Sequence, residues 1–510
     1  MRKYILLAFA AAALTSCTED MMDRINQDHG NPPLETINGK LQITDAIVST
    51  AFSSSGDYAF YASIYNEQLF GTANNQLKNA ELRIISETAG STTFNNAWNS
   101  MYANLLNLKN ILAKCEDGGL NAGMNDLRGM AELFSALNWG LLTDMHGDIP
   151  CSEALNGGNL KQPKLDSQEE IYKKIFSLID AAIADFETAL AEGQDNVGLQ
   201  DVLYGGDCEQ WLAAAHAVKA RYKLHIAMRD GNALGEALSE AQAAVNGGFK
   251  GMVFAGYDGN DISMNPYSAF QYSRDYLANS TTMRNLLAER NDPRLPVYIN
   301  YYWQGEAVAD EVTGELPEPT CGTPGNADEA SAAGGDLDAP KWISYSKEWY
   351  PAFPAASTHI LSLSEVYFII AEVQARQGAD CTAALTSAIQ AAFDDASAFG
   401  SIGKSAADYV ASLSASLAAD PLREVMVQKY IAQGRDEQAE TFNDLRRCKA
   451  MGKVCVEMTN PLNTQGGQNR LPLRMPYGNS GVSSNVNVRQ AYGDGMYVFT
   501  EPIWIFGGDR

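Results

Sequence analysis

Cationic charge is scarce in this chain: 37 Lys and Arg stand against 62 Asp and Glu, for a formal net charge of −25. Such a field repels duplex nucleic acid and anionic membrane surfaces, which excludes nucleic acid as a partner. Histidine is rarer still, at five in 510 residues, and no HExxH, GxSxG, P-loop or Rossmann fingerprint occurs. The common catalytic constellations are absent, although among so many acids a carboxylate pair suited to glycoside hydrolysis is not excluded by composition. CxxC spacing is also missing, and with it the usual structural zinc pattern. Eight cysteines are present; apart from Cys17 they are spread from Cys115 to Cys455 without a compact framework. A chain long enough to bury a large core needs no disulfide staples, so these read as buried free thiols. Cys448 and Cys455 would share a helix face if their helix ran that far. Long apolar runs are lacking too: the stretch from Tyr4 to Leu14 has eleven residues, against the ~20 needed to span a bilayer.

That short run has a meaning of its own. "MRKYILLAFAAAALTSC" places Arg2 and Lys3 before the apolar stretch and small residues after it, the layout of a secretory signal. Its end, "LTSC", resembles the bacterial lipobox. The resemblance implies cleavage before Cys17, a diacylglycerol on its sulfur and acylation of the new amino group. At ~0.8 kcal/mol per buried CH₂ one acyl chain anchors only marginally, whereas several hold stably. The alternative, a secreted protein with an incidental cysteine, leaves an exposed reactive thiol. Residues 1–16 are therefore expected to be a lipoprotein signal, with 17–40 a lipidated tether containing "NPP". "TED" at Thr18 to Asp20 resembles the acidic export tag of Bacteroidota-type lipoproteins, which implies the cell surface rather than the periplasmic face.

From about residue 41 helical signals dominate, and 41–510 is expected to form a single, mainly α domain. "SQEEIYKKIFSLIDAAIADFETALAE" opens with Ser167 and Glu170 as a capping box. Its apolar residues from Ile171 to Leu190 recur at helical spacing and predict one buried stripe. "SLSEVYFIIAEVQARQG" repeats the grammar, with Ser362 and Glu365 as the box and Gly378 as the stop. In "DPLREVMVQKYIAQG", Asp420 is the cap and Pro421 the first helical residue. Further helices are readable over Ala97–Leu112, Gly129–Asp144 and Glu209–Arg229. Helices of this length in pairs suggest TPR-like hairpins with a degenerate period.

The stretch of about 256–354 differs. It is turn-rich, and its segment 305–340 carries nine Asp or Glu and no Lys or Arg, the composition of a solvated loop. Thirteen aromatics fall in residues 257–350, a density of about 14% against a chain average of 9%, between helical blocks where loops carry function. Flat side chains stack on the C–H faces of sugar rings at little entropic cost, and amides satisfy the hydroxyls. The candidate platforms are Tyr267, Tyr272, Tyr302, Trp303, Trp349 and Tyr350, with Asn74 and Asn75 of "FGTANNQL" as polar contacts. For any one of them, packing within its own loop is the competing role. Asp144, His146 and Asp148 suggest a metal or acid–base site, but they straddle a predicted helix end, which argues against convergence. "YDGND" at Tyr257 to Asp261 offers oxygen ligands without the loop length of an EF-hand. No metal and no cofactor are assigned.

Several blocks together resemble the SusD/RagB family of nutrient-binding outer-membrane lipoproteins. "GLLTDMHGDIPCSEAL" looks like the family's helix leading into GDxP, with His146 where an aromatic is usual. "NAWNSMYANLLNLKNIL", "LSLSEVYFIIAEVQARQG", "VQKYIAQGRDEQAETFNDLRR" and "RLPLRMPYGNSGVSSN" follow in the family's order. The resemblance implies a SusD-like fold, with TPR-like helical hairpins as scaffold and a loop-rich ligand face. It further implies capture of glycan, or in some members peptide, as the lid of a SusC-like TonB-dependent transporter, without catalysis. Arg446 and Arg447 then read as scaffold residues paired with acids rather than ligand contacts. A surface lipoprotein hydrolase is the reading from another class.

Overall fold

Three side chains set where long helices begin. Ser167 Oγ accepts from Glu170 N at 3.3 Å, Ser362 Oγ from Glu365 N at 3.0 Å, and Asp420 Oδ1 from Arg423 N at 3.1 Å, each satisfying an orphan donor of a first turn. The computed structural model describes residues 36–72, 76–84, 93–260, 262–274, 277–299, 321–327 and 353–510. In chain order these form α1 Gly39–Ser54, α2 Asp57–Tyr65, β1 Leu69–Gly71, α3 Gln76–Glu81, α4 Asn95–Cys115, α5 Asn125–His146, α6 Gln168–Glu192, α7 Cys208–His225, α8 Ala233–Asn246 and β2 Met252–Phe254. There follow α9 Pro266–Arg274, β3 Leu277–Asn279, α10 Thr281–Glu289, α11 Leu295–Tyr298, β4 Thr358–Leu361, α12 Leu363–Arg376 and α13 Thr382–Ser397. After these come α14 Ala406–Ser412, α15 Ser414–Ala419, α16 Pro421–Ala432, α17 Gln438–Ala450 and short C-terminal helices.

Neighbours in sequence pack as pairs: α4 on α5, α5 on α6, α7 on α8, and α12 on α13, with α8 meeting α12 across the intervening chain. The fold is mostly helical, and its TPR-like scaffold is as expected. Small residues set the closest approaches. A Cβ on Gly140 of α5 would lie 2.0 Å from Tyr222 Oη of α7, and one on Gly129 would lie 2.9 Å from the Phe186 ring. Gly129 therefore sits inside α5 as a packing notch, and the helix starts earlier than its sequence suggests, at Asn125. At its other end, Gly147 has φ +81° and donates to Thr143 O at 2.7 Å, closing the helix with a backbone conformation that favours glycine.

Some expectations need correction. Along α6 the buried stripe includes Ala189, whereas Leu190 is 37% exposed. Helix α17 ends at Ala450, before Cys455. A turn with Gly452 at φ +80° carries the chain back, so Cys448 and Cys455 meet in one small buried cluster with Met426. All seven cysteines in the described residues are buried and free. The aromatic stretch is less loop-like than its composition suggests: Tyr267, Phe270 and Tyr272 lie on α9, and Tyr298 on α11.

Candidate functional site

Two short antiparallel ladders gather segments remote in sequence. β1 pairs with β3 in the register Gly71↔Leu277, so the chain leaving β1 and the chain entering β3 meet at one end of the ladder. β2 pairs with β4, Phe254 opposite Thr358, with an irregularity at Met252 and Val253. The start of α9 is fastened to the segment leading into β4: Asn265 N donates to Pro354 O at 2.8 Å, Asn265 Nδ2 to Ala356 O at 2.9 Å, and Ser268 Oγ to Phe353 O at 3.1 Å. A parallel bridge, Ser280↔Gly322, adds residues 321–327 to the same neighbourhood.

Two buried carboxylates hold this junction, and neither was picked out in the sequence. Glu67 accepts from Thr459 N at 2.8 Å, Thr459 Oγ1 at 2.6 Å, Asn460 N at 2.8 Å and Thr282 Oγ1 at 2.7 Å, tying β1, α10 and the segment after α17 together. Those bonds hold Glu67 at φ +58°, an uncommon backbone for a residue with a Cβ. Glu81 accepts from Gly71 N at 3.1 Å and Gly325 N at 2.8 Å. Burial raises its pKa to about 7, with Arg83 opposing. In "NEQLFG" and "NAELR" these acids look like ordinary helix-end polar residues, because their partners lie up to several hundred positions away.

Of the predicted platforms, Tyr272 is on the outer face of α9 and 64% exposed. Tyr267, expected to be a platform, is instead fully buried and edge-on to Phe60 at 4.8 Å. A ring without a solvent face offers no stacking surface, and its role is to seat α9 on α2. Tyr302, Trp303, Trp349, Tyr350, Asn74, Asn75 and the proposed lipidation site Cys17 lie outside the described residues.

Asp144, His146 and Asp148 do not converge. Tyr172 Oη donates to Asp144 at 2.5 Å, His146 Nε2 meets Tyr58 Oη at 2.6 Å, and Asp148 accepts from Gln168 N at 2.8 Å. In "YDGND", Asp258 is engaged by the backbone and side chain of Asn260 at 3.0 and 2.6 Å. Among the described residues no group of three or more His, Cys, Asp or Glu is arranged to hold a metal. Arg447 pairs with Glu372 and Asp444, as anticipated, but Arg446 does not rest on an acid side chain. Its guanidinium donates to the carbonyls of Phe442, Leu473 and Asp144 and to Asn443 Oδ1, and burial lowers its pKa to about 9.

The interior titratable groups predict a pH dependence. Burial alone would lower the His225 pKa, but the facing Glu440 and Asp144 carboxylates hold it up at about 9; His359, against Asp436 and Asp395, is held at about 10. Burial, with Glu365 and Asp436 nearby, raises Glu437 to about 8. Each binds its proton more tightly folded than unfolded, so its contribution is present below the unfolded pKa and lost as pH rises through the folded value. Thermal melts should therefore show Tm falling from pH 6.5 to pH 9, with His225 alone contributing on the order of 3 kcal/mol. His146 has the opposite sign: burial lowers it to about 3, so its contribution is lost as pH falls below 6.5. A flat or rising Tm above pH 6.5 would contradict this assignment.

A family model described as "Starch-binding associating with outer membrane" matches residues 14–477. Among solved structures, a SusD/RagB family protein of Bacteroides thetaiotaomicron is 32% identical, with TM-score 0.78, covering 93% of this chain and 100% of its own. A SusD homologue of Bacteroides fragilis (18% identity, TM-score 0.67, covering 92% of this chain and 100% of its own) shares the fold. So does a chitin-binding SusD homologue of Flavobacterium johnsoniae (18%, 0.69, covering 91% and 98%). No curated protein matches. Among the described residues no helix is long and apolar enough to cross a membrane. The helical scaffold, the ladder-gathered loops, the family model along most of the chain and the 32% identical relative lead to one conclusion: this chain belongs to the SusD-like family.

Proposed function

We propose that this protein captures oligosaccharide at the cell surface, held there by lipid on Cys17, and passes it to a SusC-like TonB-dependent outer-membrane transporter without cleaving it. The observation that carries the reading is membership in a family described as starch-binding and associated with the outer membrane. The chitin-binding relative from Flavobacterium johnsoniae supports the ligand class. The ladder geometry supports the choice of face. The β1–β3 register brings Gly71, three residues before Asn74 in sequence, opposite Leu277, five residues after Tyr272. Tyr272 is exposed, and Tyr302, Trp303, Trp349 and Tyr350 are the aromatics we assign to the glycan together with it. Sugar C–H faces stack on these rings, and the two asparagines exchange hydrogen bonds with hydroxyls.

Tyr272→Ala and Trp303→Ala are each expected to weaken oligosaccharide binding about tenfold, with the melting temperature unchanged, because an aromatic anchor at an interface costs more than about 1 kcal/mol when truncated. Isothermal titration of both variants checks this. Wild-type affinity in both would remove the aromatic face from the account.

A further inference from the structure

The turn after α17 folds Cys455 back onto Cys448. Met451 N donates to Arg447 O at 2.9 Å, Lys453 N to Cys448 O at 2.8 Å and Lys453 Nζ to Asp420 Oδ2 at 2.5 Å, so the turn is closed on its own helix and pinned to the cap of α16. The two sulfurs are in hydrogen-bond contact, within the buried cluster that also holds Met426. Arg376 of α12 donates to Cys448 Sγ at 3.3 Å. This pair differs chemically from other thiols of the chain. Burial pushes Cys115 and Cys208 up to about 12 and Cys151 up to about 11, where little thiolate forms near neutral pH. The hydrogen bond from Cys455 holds Cys448 below its ordinary value against its own burial, with Arg447 and Arg376 adding to the effect, while Cys455 is raised as the partner that keeps the proton. A thiolate in contact with a thiol and next to a guanidinium is the arrangement of an oxidisable pair rather than of two inert core residues.

We infer that Cys448 and Cys455 are an oxidation site, closed to a disulfide by exchange with a disulfide donor of the glutathione disulfide type. The thiolate attacks one donor sulfur and expels the other, which leaves as a thiol; the second cysteine then displaces the remaining donor sulfur from the mixed disulfide. The pair gives up two protons and two electrons, and the donor departs as two thiols. Closure requires the sulfurs to pass from contact to a bond of about 2.05 Å. Access requires only that this turn open: Val454, next to Cys455, is 55% exposed, and local opening at the surface costs less than global unfolding. The link joins the end of α17 covalently to the segment whose Thr459 and Asn460 hold Glu67 at the ladder junction. The inference goes beyond oligosaccharide capture and does not depend on it.

The test treats the folded, reduced protein with glutathione disulfide, blocks the remaining thiols by alkylation in denaturant, and maps an unreduced tryptic digest by mass spectrometry. Trypsin cuts after Lys449 and after Lys453, so the two cysteines fall in separate peptides unless they are linked. The linked pair is expected, two hydrogens lighter than the sum of its peptides, with Cys115, Cys151 and Cys208 recovered alkylated. A parallel sample refolded from urea in the same glutathione disulfide, where burial does not limit access, is expected to give the same link. Cys448 and Cys455 recovered as separate peptides in both samples would overturn the inference. A link from either of them to another cysteine in the folded sample, in place of this one, would overturn it as well.

Discussion

Glu372→Gln is expected to destabilise the fold by about 3–5 kcal/mol, the cost of removing one partner from a buried ion cluster. Glu372 is fully buried on α12, where Arg447 of α17 grips both its oxygens, one at 2.8 Å, and Arg376 donates to it at 2.7 Å. Burial alone would push the carboxyl pKa up, but the two guanidiniums hold it well below the usual range. Without the charge, Arg447 retains only Asp444, at 2.5 Å, and Asp444 is already shared with Lys429 at 2.7 Å. Chemical denaturation of the single variant measures the cost. A companion pair, Glu372→Met with Arg447→Leu, should lose less than the sum of its singles, because Arg447 is no longer left facing an uncharged partner and only Arg376 loses its carboxylate. A single-variant loss below about 1 kcal/mol would mean that the cluster contributes little.

Trp211→Ala should cost about 3–5 kcal/mol by a different route, the large-to-small substitution of a core aromatic. Trp211 on α7 is fully buried, stacked on Phe186 at 6.0 Å and edge-on to Phe134 and Tyr204 at 5.7 and 4.9 Å. Its Nε1 donates to Asp201 Oδ2 at 2.7 Å, the same carboxylate that accepts from Gly206 N at 2.9 Å. The substitution therefore opens a void between α5, α6 and α7 and also loosens the loop leading into α7. Urea denaturation at constant m-value reads the loss. Trp211→Phe should recover much of it, since it restores volume without the donor.

What the sequence made legible was local. Ser167, Ser362 and Asp420 mark helix starts because a cap needs only its own first turn, and Gly147 and Gly378 mark ends because positive φ favours glycine. Gly129 misled as a helix start because its reason is the Phe186 ring, a tertiary neighbour. The pairing of Glu372 with Arg447 spans 75 positions, and that of Glu67 with Asn460 spans 393; no local period announces either. Tyr267 and Tyr272, five residues apart, illustrate the limit at the ligand face. Composition groups them, but one turn and a half of helix sends the first into the core and the second to solvent.

The central claim is that the chain captures glycan and leaves it intact. Isothermal titration of the protein against pooled neutral oligosaccharides and, separately, a peptide digest, followed by chromatography of both pools, addresses it most directly. The account predicts saturable heat from the sugars alone, with every chain length recovered unchanged. Heat from the peptides alone, or sugar chains shortened after incubation, would contradict it.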